Sequence, residues 1–251
     1  MAESPALTLA VGTPPLWIGT SGFSYPEWRG AFYPEKLPAK QFLGFYAQHF
    51  PTTEINNTFY RFPRAAATEP WAQGTPDSFR FTLKLPQRIT HSKRLKDVDT
   101  EMSWFASGVQ PLGEKLGPVL VQLPPNFKKD TERLDTFLAK HGPRFQLALE
   151  FRHASWFDAE VEQVLRARGA AFAVAENDEG EATAPPRWVT GPFVYMRLRK
   201  DAYAPGELAA WAAWIRAQPV PVYCYLKHDE RAPELAAALV QALCDSTGNS
   251  A

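Results

Sequence analysis

Eight short β-rich runs are spaced along the chain, and helical patterns separate most of them. The runs are LWIGT (16–20), TTEIN (52–56), FRFTLKL (79–85), PVLVQL (118–123), FQLALEF (145–151), AFAVAE (171–176), FVYMRL (193–198) and PVYCYL (221–226). Between them, Phe42, Tyr46 and His49 follow Pro38 on one helical face, and Leu134, Phe137 and Leu138 follow Asp130 as a cap. Val161, Val164, Leu165 and Arg168 continue the pattern, as do Leu208, Trp211, Ala212 and Ile215, and Leu235, Leu239 and Leu243 behind Pro233. These are helical spacings with start signals in place. Repeated strand–helix units in 251 residues have the size of one (β/α)8 barrel. The competing open doubly wound sheet lacks its dinucleotide fingerprint, because Gly19-Thr20-Ser21-Gly22 does not satisfy GxGxxG. The expected architecture is therefore α/β, a single TIM barrel over residues 16–245, with flexible tails at 1–15 and 246–251. The weakest connection runs from Glu179 to Gly191, where Pro185-Pro186 forbids a helix.

Formal net charge is zero, from 27 basic and 27 acidic residues. Bulk charge thus gives no argument for nucleic acid and leaves room only for a local basic patch. No apolar run reaches the length of a membrane span, and MAESPALTLAVGTPP lacks the basic start and apolar core of a signal peptide. Cys224 and Cys244 have neither CxxC nor metal-ligand spacing and read as reduced thiols. A cytoplasmic protein without a membrane partner is expected. Nothing in the sequence addresses oligomeric state.

Side chains two apart on a strand share a face. In FRFTLKL the apolar face is Phe79, Phe81, Leu83 and Leu85, so Arg80, Thr82 and Lys84 point into the barrel. The same parity turns Thr52, Glu54 and Asn56 inward, with Leu120 and Gln122, and with Gln146, Ala148, Glu150 and Arg152. Tyr195 and Arg197 follow on the seventh strand, and Tyr223, Tyr225 and Lys227 on the eighth. Six strands thus end on a polar or charged inward residue: Glu54, Lys84, Gln122, Glu150, Arg197 and Lys227. All lie near C-terminal strand ends, the catalytic face of barrel enzymes. A purely structural ion-pair network is the bland alternative.

Loops add candidates. After the first strand, GTSGFSYPEW offers backbone N–H groups and the Thr20 and Ser21 hydroxyls as an anion cradle, and Tyr25 and Trp28 as stacking platforms. A tight turn packed by its own aromatics is the competing reading. Asn56, Asn57 and Tyr60 after the second strand join the substrate-binding candidates, as does Trp156 as a pocket wall or helix-start anchor. Glu54 and Glu150 form a carboxylate pair suited to acid–base work, with Lys84 expected beside Glu54 to keep it ionised. RITHSKRLK (88–96) gathers Arg88, His91, Lys93, Arg94 and Lys96 and reads either as a phosphate site or as a solvated face. His91, His153 and His228, with Glu54, Glu150, Glu176 and Asp178, are the donors for a divalent metal. No HxH or HxxxH spacing supports it, so no cofactor is assigned and a metal is the less favoured option.

WIGTSGFSYPEWRGAFYPEKLPAKQFLGFYAQHFPTTEINNTFYRFP closely resembles the YecE-like family, the domain of unknown function 72, as do FTLKLPQRITHSKRL, LGPVLVQLPPNF and LALEFRHASWF. The resemblance runs from about Trp17 to the last helix. It implies a TIM barrel, and by structural likeness to endonuclease IV and sugar-isomerase barrels it suggests a phosphodiester or sugar-phosphate substrate. Two places depart from the common family pattern. Arg197-Leu198-Arg199-Lys200 stands for RLHG, and Leu226-Lys227-His228-Asp229 for FNND, and both make the mouth more basic.

The expected function is an enzyme acting on a phosphate-bearing small molecule or nucleic-acid fragment at the C-terminal mouth. Glu150 or Glu54 would be the base and His91 or His153 the proton shuttle. Lys84, Arg152, Arg197 and Lys227 would neutralise developing charge. A non-catalytic nucleic-acid-binding barrel and a Schiff-base lyase using Lys84 are the alternatives.

Overall fold

Eight parallel strands close on themselves in sequence order. They are β1 Leu16–Ser21, β2 Thr52–Ile55, β3 Arg80–Lys84, β4 Leu116–Gln122, β5 Leu147–Glu150, β6 Ala171–Ala175, β7 Val194–Leu198 and β8 Val222–Leu226. The structure is a computed structural model that describes residues 13–176, 185–204, 206–227 and 230–245. Seven α-helices are among the described residues: α1 Phe42–Tyr46, α2 Ala65–Gln73, α3 Asp99–Val109, α4 Thr131–His141, α5 Ala159–Arg168, α6 Glu207–Arg216 and α7 Ala232–Asp245. One follows every strand except β6, so the molecule is a single (β/α)8 TIM barrel as the alternation required. No helix of the described residues is long and apolar enough to cross a membrane.

Two apolar layers follow from the strand parity. The outward faces meet the helices in the larger core, where Phe79, Phe81, Leu83 and Leu85 pack with Trp71, Phe105 and Ile89. The barrel interior holds Leu120, Ala148, Ala171, Ala173, Phe193, Tyr195, Tyr223 and Tyr225. Near its N-terminal end Trp17 stacks on Tyr223, ring centroids 4.6 Å apart. One layer up, the Tyr225 hydroxyl lies 2.8 Å from Thr52 Oγ1 and 2.7 Å from Thr82 Oγ1. Higher still the filling becomes charged. Small residues on β6 make room for the large tyrosines of β7 and β8, as a barrel filled by side chains needs. The β3–β4 register shifts between Phe81 and Leu83, yet Lys84 still pairs with Leu120 and keeps its inward parity.

Sequence periodicity missed α2 and α3. Helix α2 carries an internal Pro70, and α3 buries Glu101 and Gly108 while exposing Trp104, so neither has a clean apolar stripe. Gly108 is required because a Cβ there would stand 2.1 Å from the carbonyl oxygen of Pro63. Of the expected tails at 1–15 and 246–251, residues 1–12 and 246–251 lie outside the described residues, and the Pro15 carbonyl accepts from Val222 N–H at 3.2 Å. Residues 185–190 have no regular structure, and 177–184 of the expected loop lie outside the described residues.

Candidate active site

At the C-terminal ends of the strands, two carboxylates and two guanidinium groups interlock. Arg197, from β7, donates from Nη2 to Glu54 Oε1 at 2.9 Å and from Nη1 to Glu150 Oε2 at 2.7 Å. Arg199, two residues further on and so of the same parity, donates to Glu150 Oε1 at 2.8 Å. Gln122, paired in register with Glu150, adds a bond of 2.7 Å to the same oxygen. Glu54 also accepts from Ser21 Oγ at 2.6 Å, Asn56 Nδ2 at 2.9 Å and Tyr195 OH at 2.5 Å. Both glutamates are fully buried or nearly so. Burial opposes their ionisation, but the arginines and hydrogen bonds outweigh it and hold both carboxyls below their ordinary range.

The contact cation of Glu54 is thus Arg197 and not Lys84 as the sequence suggested. Lys84 stands apart, its ammonium 4.2 Å from the centroid of the Phe59 ring. It makes no hydrogen bond or ion pair among the described residues. Burial, with Arg197's charge second, pushes its ammonium down to about 8.

Above this network opens a cavity of about 260 Å³. Among the described residues its lining carries five cationic side chains, Lys84, Arg152, Arg197, Arg199 and Lys227, and no carboxylate. Ser21, Asn56, Tyr60 and Gln122 supply polar groups, and Phe59, Leu198 and Tyr225 the rest. Asn56 Oδ1 is buried and has no hydrogen-bond partner among the described residues. Lys227 lies 2.9 Å from Asp201 at the rim.

Several expected residues do not reach the cavity. Thr20 is fully buried, its N–H donating to Tyr46 OH at 2.9 Å and its hydroxyl to the Gly22 carbonyl at 2.6 Å. Ser21 does line the cavity, with its hydroxyl given to Glu54 at 2.6 Å. Gly22 supplies the turn at φ 96°, with the Tyr25 hydroxyl folded back onto the Ser21 carbonyl at 2.9 Å. Trp28 is 1% exposed and packs among Tyr25, Phe32 and Tyr33. Trp156 is likewise core: it stacks on Phe151 and donates to the Phe127 carbonyl at 2.6 Å. Asn57 is exposed on the outer side of its turn. His153 caps the following 3₁₀ turn by accepting from Ser155 N–H at 3.1 Å. His91 sits behind the cavity wall against Phe59, and burial and Lys84 lower its pKa. His228 lies outside the described residues.

Two cations of the basic loop share one buried carboxylate. Buried Glu101 takes Arg88 at 2.9 Å and Lys93 at 3.0 Å, so these two are structural counter-ions rather than phosphate ligands. The metal donor set is not assembled either. Among the described residues no three His, Cys, Asp or Glu side chains gather where they could hold an ion, and Glu54 and Glu150 are turned to arginines. Asp178 lies outside the described residues. Arg199 was missed as a site residue although Arg197 plus two gives its parity. Phe59, on a 3₁₀ turn, has no strand parity to reveal it.

A family model described as "Protein of unknown function DUF72" matches residues 17–250. The UPF0759 protein YecE of Escherichia coli is 32% identical over 152 residues, 60% of this chain and 53% of that protein. The UPF0759 protein YunF of Bacillus subtilis is 31% identical over 183 residues, 68% of this chain and 64% of that protein. The matches therefore span between half and two thirds of the length of these relatives. A DUF72 family protein from Thermotoga maritima superimposes with a TM-score of 0.76 at 28% identity, covering 93% of this chain and 99% of that one. A sugar phosphate isomerase/epimerase from Parabacteroides distasonis shares the fold, with a TM-score of 0.56 at 10% identity over 96% of this chain and 98% of that one. The barrel, the motifs on its strand ends and the match over nearly its whole length make this chain a member of the DUF72 family.

Proposed function

We propose that the protein is an enzyme acting on a small phosphate-bearing substrate, of the sugar-phosphate kind, held in the cationic cavity at the barrel mouth. The observation that carries this is the asymmetry of the cavity. Five cationic side chains line it, while both neighbouring carboxylates are buried behind Arg197 and Arg199. An excess of fixed positive charge in a partly desolvated pocket selects an anion. A cavity of about 260 Å³ matches a small phosphate ester better than a duplex. The buried, unpartnered Asn56 Oδ1 would accept from a substrate hydroxyl.

The geometry reassigns the catalytic roles. Glu150 is gripped by two arginines, and Glu54 by one arginine and three hydrogen-bond donors; carboxylates so held are weak bases, and both serve as counter-ions that hold Arg197 and Arg199 in place. Lys84 takes the part of proton acceptor, since its ammonium loses a proton near pH 8. His91, against Phe59, would act through Lys84. Purified protein would be screened against triose, pentose and hexose phosphates and a phosphodiester, with Lys84→Met beside it. Turnover of a phosphate ester that falls at least about a hundredfold in Lys84→Met is expected. Turnover retained by that variant would remove Lys84 from the chemistry.

A second reading rests on the same lysine. A neutral amine with no ion pair among the described residues is the form that attacks a carbonyl, expelling water to leave an iminium. Borohydride reduction in the presence of a phosphorylated aldehyde or ketone would fix the substrate to Lys84 and be read by peptide mass. No label at Lys84 would leave it as a proton acceptor only.

A further inference from the structure

The aromatic ring most open to solvent stands at the edge of the cationic cavity. Tyr60 is 72% exposed, and of the large hydrophobic side chains only Trp104, at 51%, joins it as exposed among the described residues. A single exposed ring is ordinary on a protein surface, but one held at the edge of a cationic cavity offers a face for stacking. Tyr60 is not on a loose loop. The 3₁₀ turn Asn57–Phe59 precedes it, and Thr58 inside that turn is buried and donates to the Lys84 carbonyl at 2.7 Å. Tyr60 N–H closes the turn on the Asn57 carbonyl at 3.1 Å. Its ring meets Phe59 edge to face at 5.1 Å, and Phe59 in turn carries Lys84 on its face. The turn that carries the exposed ring is therefore tied to the strand that carries Lys84.

Tyr60 also borders a second groove, of about 750 Å³, that runs away from the cavity past Arg61 and Arg64. Both arginines are exposed, and neither side chain makes a hydrogen bond or ion pair among the described residues. The groove also carries Phe62, Pro63 and Trp71, so it offers ring and apolar surface beside its two guanidinium groups. It suits a ligand that is both planar and anionic. An aromatic platform beside a cationic trough is the arrangement that holds nucleotides, with the phosphate on cations and the base on the ring.

We infer that the phosphate ester bound at the mouth is a nucleotide, its phosphate among the cavity arginines Arg152, Arg197 and Arg199 and its base stacked on Tyr60 at the start of the Arg61–Arg64 groove. This rests on the phosphate reading of the cavity and adds the aromatic half of the ligand. The test is calorimetric titration of the full chain with adenosine 5′-monophosphate and with ribose 5-phosphate, which differ by the base alone. Stacking predicts that the nucleotide binds wild type about tenfold or more tighter than the sugar phosphate. That ratio should fall to about one in Tyr60→Ala and survive in Tyr60→Trp. Equal affinities in wild type, or a ratio that Tyr60→Ala leaves intact, would overturn the nucleotide inference and leave the phosphate site standing. Binding of neither probe would bring down the phosphate reading, and this inference with it.

Discussion

Arg197 and Glu150 meet at 2.7 Å inside the barrel mouth, on strands β7 and β5 that are not neighbours in the sheet. The contact spans the barrel interior and fixes what each partner can do. Glu150 is held ionised and cannot readily take a proton. Arg197 is held in place while still lining the cavity, and its second arm reaches Glu54 at 2.9 Å. A guanidinium shared by two carboxylates keeps its orientation without substrate, which is the preorganisation that electrostatic catalysis needs.

Removing one member of this network should cost more than removing a surface pair. Glu150→Gln leaves Arg197 and Arg199 short of a buried counter-ion, and breaking such a pair destabilises by about 3–5 kcal/mol. Urea unfolding should show the midpoint falling with an unchanged slope. A variant as stable as wild type would mean that the arginines find other partners.

Stability should also depend on pH through Lys84. Its folded-state value, about 8, lies below its ordinary 10.5, so between the two the unfolded chain binds more protons. Stability from this residue therefore rises with pH across that window and is least below pH 8. Lys84→Met, which has no charge to bury, should be favoured over wild type at pH 7, and that advantage should shrink by pH 10. Urea midpoints of both proteins across the range measure it. A gap that is constant with pH would contradict the lowered value.

The middle layer of the barrel makes a cleaner test of hydrogen bonding. Tyr225→Phe keeps the ring and removes the hydroxyl shared by Thr52 and Thr82. Thr52 retains its bond to the Arg80 carbonyl at 2.8 Å, but Thr82 is left with a buried hydroxyl. The expected loss is about 1–3 kcal/mol. No loss would imply that a water or a rotated Thr82 fills the gap.

Glu176 at the end of β6 organises the segment that carries Arg199. Its carboxylate accepts from Arg199 N–H at 2.7 Å, Tyr203 OH at 2.7 Å and Trp211 Nε1 at 3.1 Å. Glu176→Ala should loosen residues 199–211, seen as faster amide exchange there than in β1–β5. Uniform exchange across the chain would argue against this local role.

Much of this site was legible from strand parity. Glu54, Lys84, Gln122, Glu150, Arg197 and Lys227 were named from alternation alone, because a closed barrel leaves each strand residue only two directions. Pairing was not legible. Nothing local says that Arg197 rather than Lys84 meets Glu54, since that depends on which strands face each other across the barrel. Loop residues failed for a related reason. In sequence Trp28 reads as a stacking platform and Trp156 as a pocket wall or helix-start anchor, but their indoles are among the largest side chains the core must absorb, and both are fully buried. Arg88 and Lys93 read as a phosphate cluster until Glu101, on an unrecognised helix, is seen to take both.

The account's central claim is that the cavity selects phosphate esters. Calorimetric titration of wild-type protein with ribose 5-phosphate and with ribose, at low and at high salt, addresses it most directly. The account requires that ribose 5-phosphate binds, that its affinity falls as salt rises, and that ribose gives no heat of binding. Equal binding of both, or binding of neither, would contradict it.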